Sequence, residues 1–148
     1  GGVVVLLSTR FSGRVEGVAL DIPGRLLVLH ISWHSHSFLG ASIYSPNYHQ
    51  QCFLLYAVGK VMPSACADIL LGGDFNLVPD TVLDRSTQRN GQTGALSPAT
   101  HKWLSDMALS GVWRQLHPTA TDYAFFSTSH QTYVRLDFFL VTRPQSGP

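Results

Sequence analysis

A polar pair, Asp74 and Asn76, follows directly on the apolar stretch "ADILLGG". A carboxylate and a carboxamide two residues apart on an extended chain point to the same side. Gly72 and Gly73, just before them, let the backbone turn and let a ligand approach closely. The stretch "LLGGDFNLVPD" is therefore suited to bind a hydrated metal ion or a phosphate at the end of a buried strand. The alternative is an Asx-turn that only ends the strand, since Asx residues stop strands routinely.

Three further segments place polar side chains near the ends of strands or in loops. "IYSPN" supplies Tyr44 and Asn47 at another strand exit, with a proline turn and a half-buried tyrosine as the alternative. "LDRS" puts Arg85 in a long polar loop, where a guanidinium either clamps a phosphate or is solvated. "RLDFFL" puts Asp137 inside an apolar strand. Because burying an unpaired carboxylate is costly, we expect it to be functional, or paired with Arg135 or another arginine.

Composition limits the class of protein. A chain of 148 residues suits one domain, 1–148, and 45% hydrophobic with 13% charged residues argues against disorder. A net charge of +1 predicts nucleic-acid binding only through a local basic patch. No apolar run approaches about 20 residues, so no membrane contact is expected. Cys52 and Cys66 lack metal-type spacing and are expected to be reduced intracellular thiols.

The apolar patterns predict the elements that would position these residues. Strands are expected over 3–8, 14–21, 25–32, 38–47, 67–75, 122–127 and 132–142, with a turn at 23–25. Helices are expected over 49–62 and 97–111; Ser97 would cap the second, Pro98 would open it and Gly111 would follow its end. The polar stretch 78–96 is expected to be a long functional loop. Together these elements favour an α+β fold of two packed sheets flanked by helices.

In chain order, the segments "IYSPN", "GGDFNLVPD", "LDRS", "WRQLHPTATDYAFFS" and "TYVRLDFFLV" resemble the endonuclease/exonuclease/phosphatase superfamily. They look most like the endonuclease domain of LINE-type (non-LTR) retrotransposons, over almost the whole chain. The resemblance implies a four-layered α/β sandwich with mostly antiparallel sheets. It also implies hydrolysis of DNA phosphodiester bonds with Mg²⁺, or alternatively Mn²⁺. A reverse transcriptase domain in the same polyprotein would be the partner, and a nuclear location would follow if genomic DNA is the target.

The resemblance implies roles for individual side chains as well. Asp74 would orient or activate the attacking water, and Asn76 would bind the scissile phosphate. Tyr44 and Asn47 would line the same cleft. Asp137 would orient a catalytic histidine by a hydrogen bond. These roles suit in-line displacement at phosphorus, which needs positioning and charge neutralisation more than covalent help.

Arg85 would contact the DNA backbone in the same resemblance. Two groups that the family uses are not found in this sequence: a metal-binding Glu on a strand that should precede Gly1, and the histidine of a Ser-Asp-His after the last strand. Glu16 comes two strands too late to replace that Glu. We therefore expect a fragment, incomplete at both termini, that is inactive as it stands. The alternatives are a non-catalytic relic with residual nucleic-acid binding, and a phosphatase of the same superfamily.

Overall fold

The computed structural model describes residues 2–62, 68–87 and 94–143. Within these ranges the strands are β1 Arg14–Asp21, β2 Leu26–Trp33, β3 His36–Tyr44, β4 Asp68–Asp74, β5 Leu109–Gly111, β6 Phe125–Ser127, β7 Thr132–Val134 and β8 Asp137–Thr142. The helices are α1 Gln50–Val61, α2 Pro98–Asp106 and α3 Val112–Leu116. None of the described helices is long and apolar enough to cross a membrane.

The strands form a six-stranded sheet in the order β1-β2-β3-β4-β8-β5 and a separate ribbon of β6 and β7. Only β3 and β4 run parallel, and the other described pairs are antiparallel. Parallel neighbours need a crossover, which α1 supplies here. The expected α+β class, with mostly antiparallel sheets and flanking helices, is confirmed.

The core lies between one face of the six-stranded sheet and the helices α1 and α2. Leu54 of α1, Leu104 of α2 and Leu71 of β4 belong to one buried cluster. Phe138 of β8 joins them and stacks on Phe75, with ring centroids 4.0 Å apart. Because side chains alternate along a strand, the neighbouring positions face the other side of the sheet.

One predicted strand is absent, and one predicted helix ends earlier than expected. No strand forms over 3–8, where Leu6 is 87% exposed. The apolar composition of residues 3–8 suits a strand, but no described strand pairs with this segment. The helix expected over 97–111 ends at Asp106; Ala108 takes a left-handed conformation with φ 56°, and the chain then forms β5 and α3. Its start is confirmed, because the Ser97 hydroxyl accepts the Thr100 N–H at 3.1 Å.

The run 132–142, expected as one strand, is two strands in different sheets. β7 pairs with β6, and β8 pairs with β4 and β5. The break falls at Arg135 and Leu136, whose backbone groups bond to other segments. The Arg135 N–H donates to the Asp84 carbonyl at 3.0 Å, and the Phe75 N–H donates to the Leu136 carbonyl at 3.0 Å. Of the two cysteines, Cys52 is a free, exposed thiol, and Cys66 lies outside the described residues.

Candidate catalytic cleft

The ends of three neighbouring strands place polar side chains in one row. Tyr44 ends β3 and is the Cα partner of Asp74 at the end of β4. Asp74 is in turn the Cα partner of Asp137 at the start of β8. Partners in adjacent strands project from the same face of a sheet, and their Cβ atoms are about 5 Å apart in an antiparallel pair. Three residues from distant parts of the chain therefore meet at one edge.

The surroundings of Asp137 act on its carboxyl group. Partial burial, and then the negative charge of Asp74, raise the pKa of the Asp137 carboxyl above its usual value. Among the described residues, no donor bonds to the Asp137 carboxylate. The expected alternative of an Asp137–Arg135 ion pair is wrong, because Arg135 binds the Asp84 carboxylate instead. A pair of like charges with a raised pKa is typical of functional sites, although structural networks also produce it.

The glycines before Asp74 are required by close packing. At Gly73 the backbone φ is +139°, and an added Cβ would lie 2.0 Å from the Ile43 carbonyl oxygen. At Gly72 an added Cβ would lie 2.4 Å from the ring of Phe139. At Gly73 no larger residue fits without moving the backbone of β3, whereas at Gly72 the exposed Phe139 ring would have to shift. The pair thus lets β4 bring Asp74 into register with both neighbours.

Asn76 ties two strand exits together. Its side-chain Nδ2 donates to the Ser45 carbonyl at 2.7 Å, and the Ser45 N–H donates to the Asp74 carbonyl at 2.8 Å. Its backbone N–H donates to Asp74 Oδ1 at 2.8 Å, which is the Asx-turn geometry raised as an alternative. The φ of +47° at Asn76 is left-handed, a conformation that Asn tolerates. The Asx-turn is therefore part of the candidate site, because it positions the Asp74 carboxylate.

Asn47 lies two residues beyond Ser45, in the exit loop that Asn76 holds. Asn47 is exposed, and its carbonyl accepts a hydrogen bond from the Gln50 side chain at 2.7 Å. Its side chain is therefore at the surface, three residues along the chain from Tyr44. The structure brings Tyr44, Asp74, Asn76 and Asp137 together and places Asn47 in the loop that follows Tyr44.

Arg25 is a charged neighbour of the row that the sequence reasoning missed. It precedes β2, and its guanidinium lies 4.7 Å from the centre of the Tyr44 ring. Its Nη1 also donates to the Tyr44 carbonyl at 3.3 Å. The signal was present in the hairpin, because antiparallel pairing brings the start of β2 opposite the end of β3. Arg25 adds a positive charge at the Tyr44 end of the row.

Arg85 lies on a different backbone segment from the row. It forms a β-bridge with Val134, three residues before Asp137, and only 9% of its surface is exposed. The alternative of a solvated loop arginine is therefore wrong. Burial lowers the pKa of its guanidinium. Contact with the DNA backbone stays a prediction, and the low exposure limits how much of this side chain a phosphate would reach.

The carboxylate of Asp84, next to Arg85, holds a buried ionic cluster. Its Oδ1 accepts from Arg114 Nη2 at 2.5 Å and from Arg135 Nε at 3.2 Å. Its Oδ2 accepts the Asp80 N–H at 3.1 Å. The Arg135 guanidinium also lies 4.3 Å from the centre of the Trp113 ring. The cluster fixes the "LDRS" loop against α3 and the start of β8.

The described residues supply only part of a cation site. Hard divalent cations prefer oxygen ligands, which Asp74 and Asp137 offer. Among the residues that the structure describes, however, no three His, Cys, Asp or Glu side chains are grouped closely enough to hold a metal ion. The residues that the structure describes therefore do not by themselves form a metal centre.

The fold and the row of strand ends define a mixed α+β protein with an acidic site at the ends of three strands. Residues 2–146 match the Endonuclease/Exonuclease/phosphatase family. The chain belongs to this family.

Solved structures agree with this fold. An AP endonuclease from Archaeoglobus fulgidus gives a TM-score of 0.64 at 14% identity, covering 87% of this chain and 59% of that one. A 3'-5' exonuclease (NExo) from Neisseria meningitidis gives 0.60 at 18% identity, covering 88% and 58%. A humanized D. rerio TDP2 with 14 mutations gives 0.60 at 14% identity, covering 92% and 54%. The chain thus spans less than two thirds of the length of these structures.

Proposed function

We propose that this chain is part of a DNA-nicking endonuclease of the LINE retrotransposon type. The observation that carries the proposal is the register that brings Tyr44, Asp74 and Asp137 into one row at the strand ends. Separate turns that merely ended three strands would have no reason to align two carboxylates and a phenol. The family to which the chain belongs makes phosphodiester hydrolysis the chemistry to test first.

In the proposed reaction, water attacks phosphorus in line and the ester P–O bond on the far side breaks. Asp74 Oδ1 already accepts the Asn76 N–H, and the other oxygen, Oδ2, would accept a hydrogen bond from the attacking water. Asn76 Nδ2 has a second hydrogen besides the one given to Ser45, and it would donate to a phosphate oxygen. The raised pKa of Asp137 makes it a stronger acceptor, which suits the orientation of a histidine.

The ion and the partner are parts of the same proposal. Mg²⁺, or alternatively Mn²⁺, would neutralise phosphate charge beside the carboxylates, with a further ligand from outside the described residues. DNA is the proposed substrate, and a reverse transcriptase domain of the same polyprotein is the proposed partner. The "LDRS" and "WRQLHP" segments support the retrotransposon type over a phosphatase acting on lipid headgroups.

A second candidate is a non-catalytic chain with residual nucleic-acid binding. It is favoured by the lack of a three-ligand cluster among the described residues. Under both candidates we expect the 148-residue chain alone to leave supercoiled plasmid intact with Mg²⁺ or Mn²⁺. Loss of a general base alone costs about 10²–10⁴-fold in rate. Clear nicking that disappears in Asp74→Asn would contradict the proposed inactivity and support the endonuclease.

The two candidates separate when the chain is extended with the flanking residues of its own reading frame. The endonuclease proposal expects Mg²⁺-dependent nicking by the extended chain and its loss in Asp74→Asn, since Asn keeps the Asx-turn acceptor but removes the charge. The matched control is Asp68→Asn, the same change at the far end of β4. Equal nicking by both variants, or none by the extended chain, would refute the endonuclease proposal.

A further inference from the structure

Arg25 extends the row of strand ends by one position. β2 and β3 are antiparallel neighbours, and the Tyr44 N–H donates to the Arg25 carbonyl at 2.9 Å, so the pairing of the two strands continues to these residues. Residues that lie opposite each other in such a pair project from the same face of the sheet. The Arg25 side chain is therefore on the face that carries Tyr44, Asp74 and Asp137.

Tyr44 holds the Arg25 guanidinium in place without using most of its donors. The guanidinium lies 4.7 Å from the centre of the Tyr44 ring, and its Nη1 donates to the Tyr44 carbonyl at 3.3 Å. An arginine side chain carries five N–H donors in a planar fork. The other donors of Arg25 have no partner among the residues that the structure describes, and the residue is only partly buried. A ligand can therefore reach them.

The charge of Arg25 is not neutralised by a neighbouring carboxylate. Arg25 forms no salt bridge within the part of the chain that the structure describes, whereas Arg114 and Arg135 both bind Asp84. An arginine with open donors suits a phosphate, because its planar fork matches two phosphate oxygens at once. The Arg25 end of the row can therefore attract an anion.

The spacing of the strands sets how far this anion would lie from the reacting bond. Arg25 and Asp74 are separated by two strand spacings, one to Tyr44 and one beyond it, or about 10 Å. Successive phosphates of one DNA strand are about 3.4 Å apart along the helix axis. A DNA strand that passes Asp74 would thus bring a phosphate to Arg25 within about three nucleotides.

We propose that Arg25 binds a backbone phosphate of the cut DNA strand, within about three nucleotides of the scissile phosphate. The guanidinium donates two hydrogen bonds to that phosphate, and Tyr44 orients it. Arg25 is then a substrate-binding residue away from the bond that breaks. This inference rests on the proposed function, because it takes DNA as the ligand of the row.

The first test measures DNA affinity with the chain extended by the flanking residues of its own reading frame. Every variant carries Asp74→Asn, so that DNA is bound without being cut, and fluorescence anisotropy follows a short duplex over a range of salt concentrations. Arg25→Met should weaken binding about tenfold and lower the slope of log affinity against log salt by about 0.9, the share of one phosphate. Arg14→Met is the matched control and should change neither value, since exposed Arg14 pairs with Ser32 at the far end of β2.

The second test locates the phosphate with duplexes that carry one neutral methylphosphonate, placed at each position in turn. One position should weaken binding about tenfold with Arg25 present and have no further effect in Arg25→Met, because both changes remove the same contact. If Arg25 only fixed the end of β3, every methylphosphonate would act equally in both proteins.

The inference is overturned by that result, by unchanged affinity in Arg25→Met, or by a lack of DNA binding. The endonuclease proposal is judged separately, by nicking with Asp74 restored. If the extended chain binds DNA but does not nick it, that proposal fails, while the coupling between Arg25 and one phosphate still decides this inference.

Discussion

Asp84→Ala should destabilise the fold far more than an ordinary surface change. The Asp84 side chain is 3% exposed, and its carboxylate accepts from Arg114 at 2.5 Å and from Arg135 at 3.2 Å. Removing one partner of a buried ion pair typically costs about 3–5 kcal/mol, because the other charge is left without compensation. Alanine would also release the Asp80 N–H.

The remaining contacts place the expected cost at the lower end of that range. Arg114 is 26% exposed in its side chain and also donates to the carbonyls of residues 117, 118 and 120. Arg135 retains the Asp122 carbonyl and the Trp113 ring. We therefore expect a loss of about 3 kcal/mol. For a chain of this size, that lowers the melting temperature by about 6–12 °C.

Urea unfolding measures this loss, and Asp106→Ala supplies the matched control. Asp106 pairs with Lys102 at 2.7 Å, but their side chains are 60% and 75% exposed. Such a pair contributes at most about 0.5 kcal/mol. Added salt should erase the Asp106 effect and leave most of the Asp84 effect, because buried pairs are screened less. Equal costs for the two variants would refute the assignment of Asp84 as the centre of a buried cluster.

Two further predictions concern the cleft. Gly73→Ala should cost at least about 3 kcal/mol through its positive φ and the clash with the Ile43 carbonyl. Gly59→Ala, at an exposed position of α1, should instead gain about 0.5–1 kcal/mol. Similar unfolding midpoints for the two variants would contradict the packing argument. Asp137→Asn should raise the melting temperature at pH 7 but not at pH 3. The raised pKa means that the folded state binds this proton more tightly, so ionisation destabilises the fold as pH rises above the usual 3.8. A melting difference that is independent of pH would refute the coupling of Asp137 to Asp74.

Local sequence signals account for most of the fold. The turn at 23–25, the apolar runs of β2, β3 and β4, and the Ser97 cap all act within a few residues of chain. The prediction of a strand over 3–8 was wrong because apolar composition alone does not provide a neighbouring strand for pairing. β5 and α3 were missed because a strand of three residues exists only through its pairing with β8, which lies about 30 residues away.

Prediction of the candidate site required information on long-range strand pairing, which local sequence patterns do not contain. The parallel register of β3 and β4 is set across α1, and it decides that Tyr44 and Asp74 align. The family resemblance supplied the expectation that these residues share a cleft. The pairing of Asp84 with Arg135 was not foreseen, because ion pairing between positions 51 residues apart has no periodic signature. The roles of the individual side chains in catalysis stay predictions.

Three of the segments that mark the family meet at one junction of the backbone. Where the chain passes from β7 to β8, the "LDRS" loop accepts the Arg135 N–H through the Asp84 carbonyl, and the "GDFN" exit donates the Phe75 N–H to the Leu136 carbonyl. These bonds let the "RLDFF" segment leave one sheet and enter the other, and they fix where Asp137 begins β8. Side chains hold the same junction, because the Asp84 carboxylate accepts from Arg135 Nε and the Phe75 ring stacks on Phe138. These residues therefore contribute to the fold whether or not a complete catalytic set is present. For this reason the co-occurrence of the three segments is strong support for the fold, and only the nicking experiments bear on activity.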